Sequence, residues 1–164
     1  MLWGCLYKDF IVNSVSCAVT NSGTIDDMKT KQTDGRQYVL DEWRRRWVRL
    51  TPEELVRQHT LHYLEDELHY PHGLIAVEHT IEINGMKKRC DAVVYDKNGK
   101  PLMLIEFKAQ NVELNQKVFD QAAVYNTKLQ VPYLMVANGR QIIVCKVESG
   151  AYVFAHDVPQ YDDL

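Results

Sequence analysis

The chain has 164 residues, of which 46% are hydrophobic and 25% charged, and its formal net charge is −3. This length and composition indicate one soluble globular domain, and they exclude a chain that needs disulfides or a structural metal to build a core. No stretch approaches the roughly 20 apolar residues of a membrane span. The mildly acidic charge argues weakly against nucleic-acid binding, although a domain that gathers metal-binding carboxylates lowers its own charge.

Residues 1–27 are predicted to be an N-terminal extension of poorly specified structure, and residues 28–164 to be the folded domain. The extension has no firm periodicity and ends in the polar run Asn21-Ser22-Gly23-Thr24. Either the natural start is Met28 and the preceding residues are misread, or the extension is a short strand or arm. It lacks the basic start of a signal peptide, and four scattered cysteines without a CxxC pair fit a reducing, cytoplasmic setting.

The first regular elements are a hairpin and a helix. Residues 37–50 are predicted to form a short hairpin with its bend near Asp41-Glu42. Thr51-Pro52-Glu53-Glu54 then opens a helix that runs to about Leu68, with Thr51 as the N-cap and Glu54 completing a capping box. Two basic runs are interpreted as solvated faces, namely Arg44, Arg45, Arg46 and Arg49 in one and Lys87, Lys88 and Arg89 in the other.

From residue 74 the apolar pattern changes to a period of two, which predicts strands. Asn84-Gly85 and Asn98-Gly99 lie between alternating runs and predict two-residue hairpin turns. The predicted elements are strands at about 74–83, 86–95 and 102–108, a helix at about 114–130, and strands at 133–137, 141–147 and 151–155. We therefore predict an α/β (α+β) domain in which a mixed central β-sheet is flanked by helices.

The turn at Asn98-Gly99 implies a register that brings charged residues together. If Lys97 pairs with Lys100, Asp91 lies directly opposite Glu106, and Lys108 follows on the same face. Opposed carboxylates destabilise a sheet, and a bound divalent cation removes the conflict. The sequence therefore predicts a Mg²⁺ site at Asp91 and Glu106. Lys108 would orient the attacking water or balance the phosphate charge in metal-assisted phosphodiester hydrolysis.

The turn at Asn84-Gly85 places Glu78 opposite Asp91 by the same reasoning. Glu78 would share its face with Thr80 and Arg89. It is therefore either an extra metal ligand or a solvated strand residue, and a single bulge would cancel the register.

Asp91, the triplet Glu106-Phe107-Lys108 and the pair Gln121-x-x-x-Tyr125 together resemble the PD-(D/E)XK nuclease superfamily. The resemblance is strongest to the nuclease domain at the N-terminus of type I restriction enzyme motor (R) subunits, from Leu50 to about Tyr161. It implies a restriction-endonuclease-like core and DNA cleavage by Asp91, Glu106 and Lys108, dependent on Mg²⁺ or a substituting Mn²⁺. Gln121 and Tyr125 would contribute to the site or to DNA contact. The proline of the superfamily's name is absent, since Cys90 precedes Asp91.

The family pattern also implies a metal-binding carboxylate on the first helix. Glu54 is the first candidate, with Glu53 and Glu65 as rivals. The alternative is that Glu54 only caps its helix.

The sequence thus predicts a standalone, Mg²⁺-dependent endodeoxyribonuclease. The alternative is a non-cleaving DNA-binding or assembly subunit of a restriction or helicase complex. No phosphate-binding loop is present, so the expected partners are DNA and a separate motor or specificity subunit. Cutting both strands of a duplex would suggest a homodimer. The pairs His59/His62 and His69/His72 are interpreted as surface or interfacial histidines rather than a zinc site.

Overall fold

The computed structural model describes residues 28–164, and the expectations for residues 1–27 lie outside that range. The first part of the described chain is a small antiparallel sheet of β1 (Thr30–Thr33), β2 (Arg36–Asp41) and β3 (Arg46–Arg49), in that order. The hairpin predicted over residues 37–50 is confirmed as β2 and β3. Strand β1 was not predicted, because Thr-Lys-Gln-Thr contains no apolar residue from which an alternation could be read.

Two α-helices follow in the described chain, α1 (Pro52–Asp66) and α2 (Gln116–Leu129). Thr51 is the N-cap of α1 as predicted, since its hydroxyl accepts a 3.1 Å hydrogen bond from the Glu54 backbone N–H. Asn115 caps α2 in the same way, accepting from the Lys117 N–H at 3.1 Å. Neither helix is long and apolar enough to cross a membrane.

The main sheet has six strands in sequence order. Strands β6 and β7 are parallel, with α2 as the connection between them, and every other neighbouring pair is antiparallel. The predicted mixed sheet flanked by helices is therefore confirmed. Its strands are β4 (Ile75–Ile83), β5 (Met86–Tyr95), β6 (Pro101–Phe107), β7 (Tyr133–Ala137), β8 (Ile142–Glu148) and β9 (Ala151–Phe154). Two short 3-10 helices lie at His72–Leu74 and Tyr161–Asp163.

The two Asn-Gly turns differ. Asn84 and Gly85 both have positive φ (52° and 75°), which is the two-residue turn that was predicted, and Ile83 pairs with Met86. The prediction of a two-residue turn at Asn98-Gly99 is wrong. Here the strands end at Tyr95 and Pro101, and the loop between them closes on the Asp96 side chain, which accepts from the backbone N–H groups of residues 98 and 100 at 2.8 Å.

The register inferred from that turn is nevertheless correct. A bulge between Val94 and Tyr95 shifts the pairing, so that Val94 pairs with Met103 and Ala92 with Ile105. The shift of pairing at the bulge offsets the shift that the longer loop would cause. Asp91 and Glu106 are therefore the next residues beyond the last paired position, as the sequence predicted.

The sheet has a core on each face. One core contains apolar residues of α1 with Ala92 and Val94, and the other contains apolar residues of α2 with Val93. Cys90 lies in the α2 core although Ala92, two residues later, lies in the α1 core. The alternation of β5 therefore changes phase at Asp91. Opposite that point Glu78 adopts a left-handed conformation (φ 54°) and interrupts the pairing of β4 with β5.

A close contact joins α1 to the turn between β7 and β8. Gly139 has φ 80°, and a Cβ atom there would lie 3.1 Å from a Val56 methyl group. We expect Gly139→Ala to lower the free energy of unfolding by more than the cost of about 1–2 kcal/mol for a left-handed L-residue. Urea denaturation measures the loss. Gly85→Ala is the control, because Gly85 has a similar φ of 75° and no neighbour within 4 Å; equal losses in the two variants would contradict the contact.

Candidate active site

The centre of the site is Glu106, the penultimate residue of β6. Its side chain is only 2% exposed. Its Oε2 accepts a 3.1 Å hydrogen bond from the Gln121 side-chain amide and lies 3.8 Å from the Lys108 ammonium. Its Oε1 is buried and has no hydrogen-bond partner among the described residues. Burial and the neighbouring Asp91 raise the pKa of Glu106 from 4.5 to about 8, and Lys108 only partly offsets them.

Asp91 lies beside Glu106 and is held at both oxygens. Its Oδ2 accepts the backbone N–H of Phe107 at 2.8 Å, so the carboxylate takes the place of a strand partner where the β5–β6 ladder has ended. Its Oδ1 accepts from the Arg57 guanidinium at 2.9 Å. The side chain is 20% exposed, so Asp91 is the more solvent-accessible of the two carboxylates.

Glu54 is a partner of arginines. The residue is buried, and its carboxylate accepts from Arg44, from Arg57 at 2.6 Å and from the Gln58 amide at 2.8 Å. The side chain does not return to the backbone of Thr51, whose N–H donates to the Arg49 carbonyl. The predicted capping box is therefore wrong in its second half, and only the N-cap forms. As a metal ligand Glu54 stays a prediction, and both of its oxygens are already used.

The three rival carboxylates lie in different surroundings. Glu53 is half-buried, and its charge contributes to the raised pKa of Glu106, which places it near the pair. Among the described residues it forms no hydrogen bond or ion pair. Glu65 instead lies 3.0 Å from His72. Glu78 binds Arg44 at 3.1 Å and Arg46 at 3.2 Å, and lies 3.7 Å from Arg89.

Gln121 and Tyr125 share one face of α2, as the helical spacing predicted, and this face lies against Glu106. The Gln121 amide donates to Glu106 and is also 3.3 Å from the Tyr125 hydroxyl. Burial raises the pKa of Tyr125, and the Glu106 and Asp91 charges add to that effect. The two side chains therefore extend the site from Glu106 along one face of α2. Their role in the reaction stays a prediction.

Sequence reasoning missed two residues, Arg57 and Arg44. Arg57 is buried on α1 and joins Glu54 to Asp91, and its spacing of three from Glu54 was the available signal. Arg44 belongs to the basic run interpreted as solvated, yet only 10% of its side chain is exposed and it binds Asp41, Glu54 and Glu78. That interpretation is wrong for Arg44 and correct for the other members of both runs, which are exposed.

The donor set at the pair fits a hard divalent cation. In residues 28–164 no three His, Cys, Asp or Glu side chains converge as a ready metal site. Mg²⁺ needs only one or two protein carboxylates, because water and substrate phosphate supply its other oxygens. Asp91 and Glu106 provide that number, and the unpartnered Oε1 of Glu106 is a free oxygen donor. Of the histidines in the two HxxH pairs, His62 and His72 lie against the Trp43 ring.

The sheet order, the parallel β6–β7 pair and the flanking helices are compatible with a restriction-endonuclease-like fold. Residues 52–159, about two thirds of the chain, match the family described as the type I restriction enzyme R protein N terminus (HSDR_N). The chain belongs to this family.

Among solved structures the fold is similar to a fragment described as an HsdR subunit of a type I restriction enzyme from Vibrio vulnificus YJ016. The two share a TM-score of 0.52 and 18% sequence identity. The similarity covers 69% of this chain and 24% of the other, so this chain spans about a quarter of that length. None of the curated proteins matches the chain.

The raised pKa of Glu106 predicts how stability depends on pH. Between pH 4.5 and about 8 the folded protein keeps a proton that the unfolded chain has released, so stability falls as the pH rises through this window. We expect Glu106→Gln, measured in EDTA, to be close to the parent in stability at pH 5 and more stable by a few kcal/mol at pH 8. Urea denaturation at both values measures the difference. Glu113→Gln removes an exposed carboxylate as the control, and a pH-independent difference for Glu106→Gln would contradict the assignment.

The pairing of Glu54 predicts a structural loss on its neutralisation. Glu54→Gln leaves Arg44 and Arg57 without their shared partner in a buried setting, and breaking such a pair typically costs about 3–5 kcal/mol. Glu53→Gln is the matched control, because it changes the adjacent residue without removing an ion pair among the described residues. Thermal unfolding distinguishes the two variants. Equal melting temperatures would show that the Glu54 pairs do not stabilise the fold.

Proposed function

We propose that this domain is a Mg²⁺-dependent endodeoxyribonuclease, with Asp91, Glu106 and Lys108 as its catalytic residues. The observation that carries the proposal is the Glu106 side chain. It is buried beside a second carboxylate with one oxygen unpartnered, and the Lys108 ammonium lies 3.8 Å from the other. A buried carboxylate with an unsatisfied acceptor costs stability unless a ligand supplies the missing interaction.

The charge around the site supports uptake of a cation. A chain of ion pairs runs from Asp41 through Arg44, Glu54 and Arg57 to Asp91. It contains three carboxylates and two guanidinium groups, and Glu106 and Lys108 add one carboxylate and one ammonium group at its end. With Glu106 ionised, four carboxylates therefore face three cations, an excess of one negative charge. A divalent cation at Asp91 and Glu106 would offset it and would favour the ionised form of Glu106.

The residues of the site then divide the work. Asp91 and Glu106 would hold Mg²⁺, which when bound supplies an activated water and neutralises charge on the scissile phosphate. Lys108 is close enough to orient that water or to contact the phosphate. The Gln121 amide fixes the Glu106 carboxylate, and Tyr125 lies behind Gln121, where it can contact the DNA. Arg57 fixes Asp91 from the side of α1. Glu53 is a better candidate than Glu54 for a further metal ligand, because both oxygens of Glu54 are already paired with arginines and Gln58.

A cleft at the ends of β6 and β7 is the place where we expect the DNA backbone to lie. It has a volume of about 400 Å³ and lies between the loops that follow β6 and β7. Both loops begin where the parallel strands end, and Lys108 is the first residue after β6, its backbone N–H bound to the Ala137 carbonyl. The residues lining the cleft include Gln110, Asn111 and Arg140, which are donors suited to phosphate and sugar oxygens, together with the carboxylate of Glu113. Asn138 also lines it, but its side-chain amide already donates to the Val112 carbonyl at 2.8 Å.

Family membership extends the proposal to partners. The family is named for the R protein of type I restriction enzymes. We infer that this domain acts on DNA in the cytoplasm together with motor and specificity subunits, and that two copies would be needed to cut both strands of a duplex. Mn²⁺ is expected to replace Mg²⁺, because it also accepts carboxylate and water oxygens.

Titration of Mg²⁺ or Mn²⁺ into the protein with supercoiled plasmid as the substrate tests the activity. We expect the purified chain to nick the plasmid with Mg²⁺ or Mn²⁺ and not with EDTA, and Lys108→Ala to lose at least about 100-fold in rate, as expected for a group acting in the transition state. Lys100→Ala, which removes an exposed lysine from the loop between β5 and β6, is the control and should cut normally. Gel electrophoresis measures the nicked fraction over time.

Two results would overturn the proposal. Cleavage by Lys108→Ala at the parental rate would remove Lys108 from the site. No cleavage with either metal, in a chain whose melting temperature shows that it is folded, would favour the alternative of a DNA-binding or assembly subunit.

A further inference from the structure

One face of the small sheet has a composition that the nuclease site does not explain. Lys31 pairs with Tyr38, Tyr38 with Arg49, and Leu40 with Trp47, so these side chains project to the same side. Arg36 shares that side because it lies two residues before Tyr38. We call the surface formed by Lys31, Arg36, Tyr38, Trp47 and Arg49 the aromatic–basic face.

The charge on this face is of one sign. Lys31, Arg36 and Arg49 are exposed, and none of them forms an ion pair with a residue that the structure describes. The one carboxylate within the three strands, Asp41, is buried on the opposite side and binds Arg44. Three exposed cations that form no ion pair with the described residues outnumber the exposed carboxylate of Asp34, in the turn between β1 and β2, and they attract a polyanion. Tyr, Trp and Arg are also enriched at protein interfaces, so a second protein is the rival occupant, and the uniform positive charge is what favours a nucleic acid.

The aromatic rings indicate which polyanion. Trp47 is 39% exposed, and the Lys31 ammonium lies 4.5 Å from its ring centre and 6.0 Å from that of Tyr38. Tyr38 and Trp47 are diagonal neighbours on adjacent strands, a separation of about 7–8 Å. Single-stranded nucleic acids bind sheet surfaces of this kind by stacking successive bases on aromatic side chains while cations neutralise the phosphates. Bases of a duplex are already stacked on one another and cannot bind in this way.

We propose that the aromatic–basic face binds single-stranded DNA, with bases stacked on Trp47 and Tyr38 and phosphates paired with Lys31, Arg36 and Arg49. The inference rests on the proposed function, since it names the form of DNA that this nuclease domain would hold. In the free protein Lys31 covers the Trp47 ring, and it would move to a phosphate when a base takes its place.

The small sheet that carries this face is joined to the active site by short contacts from its opposite side. Arg46, next to Trp47, binds Glu78, which lies opposite Asp91 across the β4–β5 pair. Arg44, in the loop between β2 and β3, binds Glu54, and Arg57 carries that connection to Asp91. A DNA strand bound to the small sheet would therefore have a fixed position relative to the carboxylates.

Fluorescence anisotropy with a labelled twelve-nucleotide oligo-dT, in EDTA, tests the proposal without any contribution from cleavage. We expect Trp47→Ala to lose about 5- to 150-fold in affinity, the range that stacking of one base supports. Trp47→Phe should stay within about threefold of the parent. Lys128→Ala removes an exposed lysine from the end of α2 and should bind normally.

The dependence on salt is a second readout, and it does not require an aromatic variant to fold. Three phosphate contacts predict a slope of about −2 in log affinity against log salt concentration, and Arg49→Gln should reduce its magnitude by about 0.7. A melting temperature for each variant confirms that the small sheet has folded.

Three outcomes would overturn the inference. These are equal affinity of Trp47→Ala and the parent, equal affinity for a duplex of the same length, and no binding of the oligonucleotide at low salt. If binding is absent and Trp47→Ala instead weakens self-association, the face is a protein interface. A chain that binds oligo-dT through Trp47 and never nicks a plasmid would leave this inference standing and remove the proposed function, so the two fail separately.

Discussion

The arrangement of the whole domain depends on one buried series of ion pairs, from Asp41 through Arg44, Glu54 and Arg57 to Asp91. Charges removed from water cost several kcal/mol each, and the cost is offset only when geometry and hydrogen bonding are good at every member. Each interior carboxylate here has at least two donors. Movement of one member would leave its ion-pair partners as unpaired buried charges. The series therefore fixes the relative positions of the elements that carry its residues.

What is attached to the series is the small sheet at one end and the carboxylate pair at the other. Arg44 comes from the loop between β2 and β3, and Arg57 comes from α1. The small sheet has no strand in common with the main sheet. Its place relative to Asp91 is therefore set by side chains rather than by backbone pairing. The ion pairs act here as a structural connection between the two sheets, together with Trp43 of the same loop, which packs against the α1 core.

Much of the main sheet could be predicted from sequence, because it depends on local signals. The period of two, the Asn84-Gly85 turn and the Thr51 cap each act over a few residues. The residues that escaped prediction depend on distant contacts. Arg44 reads as part of a solvated run, and its burial follows only from Glu54 and Glu78 approaching from other elements. The same holds for the side chain of Glu54, whose capping-box pattern is satisfied in sequence and overridden by two arginines.

The pairing of Asp91 with Glu106 was predicted from an incorrect turn. The loop from Asp96 to Lys100 is longer than two residues, and the bulge at Val94 and Tyr95 restores the pairing. The agreement is a cancellation of two irregularities, neither of which is visible in the alternation of β5. That Gln121 and Tyr125 share a helix face was a more secure prediction, because helical spacing of four is independent of any turn. Their place beside Glu106 was implied only by the resemblance to the nuclease superfamily.

The phase change of β5 at Asp91 bears on the order in which the domain assembles. The two carboxylates lie on adjacent strands, yet Asp91 is held by Arg57 from α1 and Glu106 by Gln121 from α2, helices that pack on opposite faces of the sheet. A hairpin of β5 and β6 formed early during synthesis would bring Asp91 and Glu106 together without Arg57 or Gln121 to bind them. Both layers must dock before the pair acquires its final geometry, so a nascent or partly unfolded chain would hold the two carboxylates without the site that the completed domain builds around them.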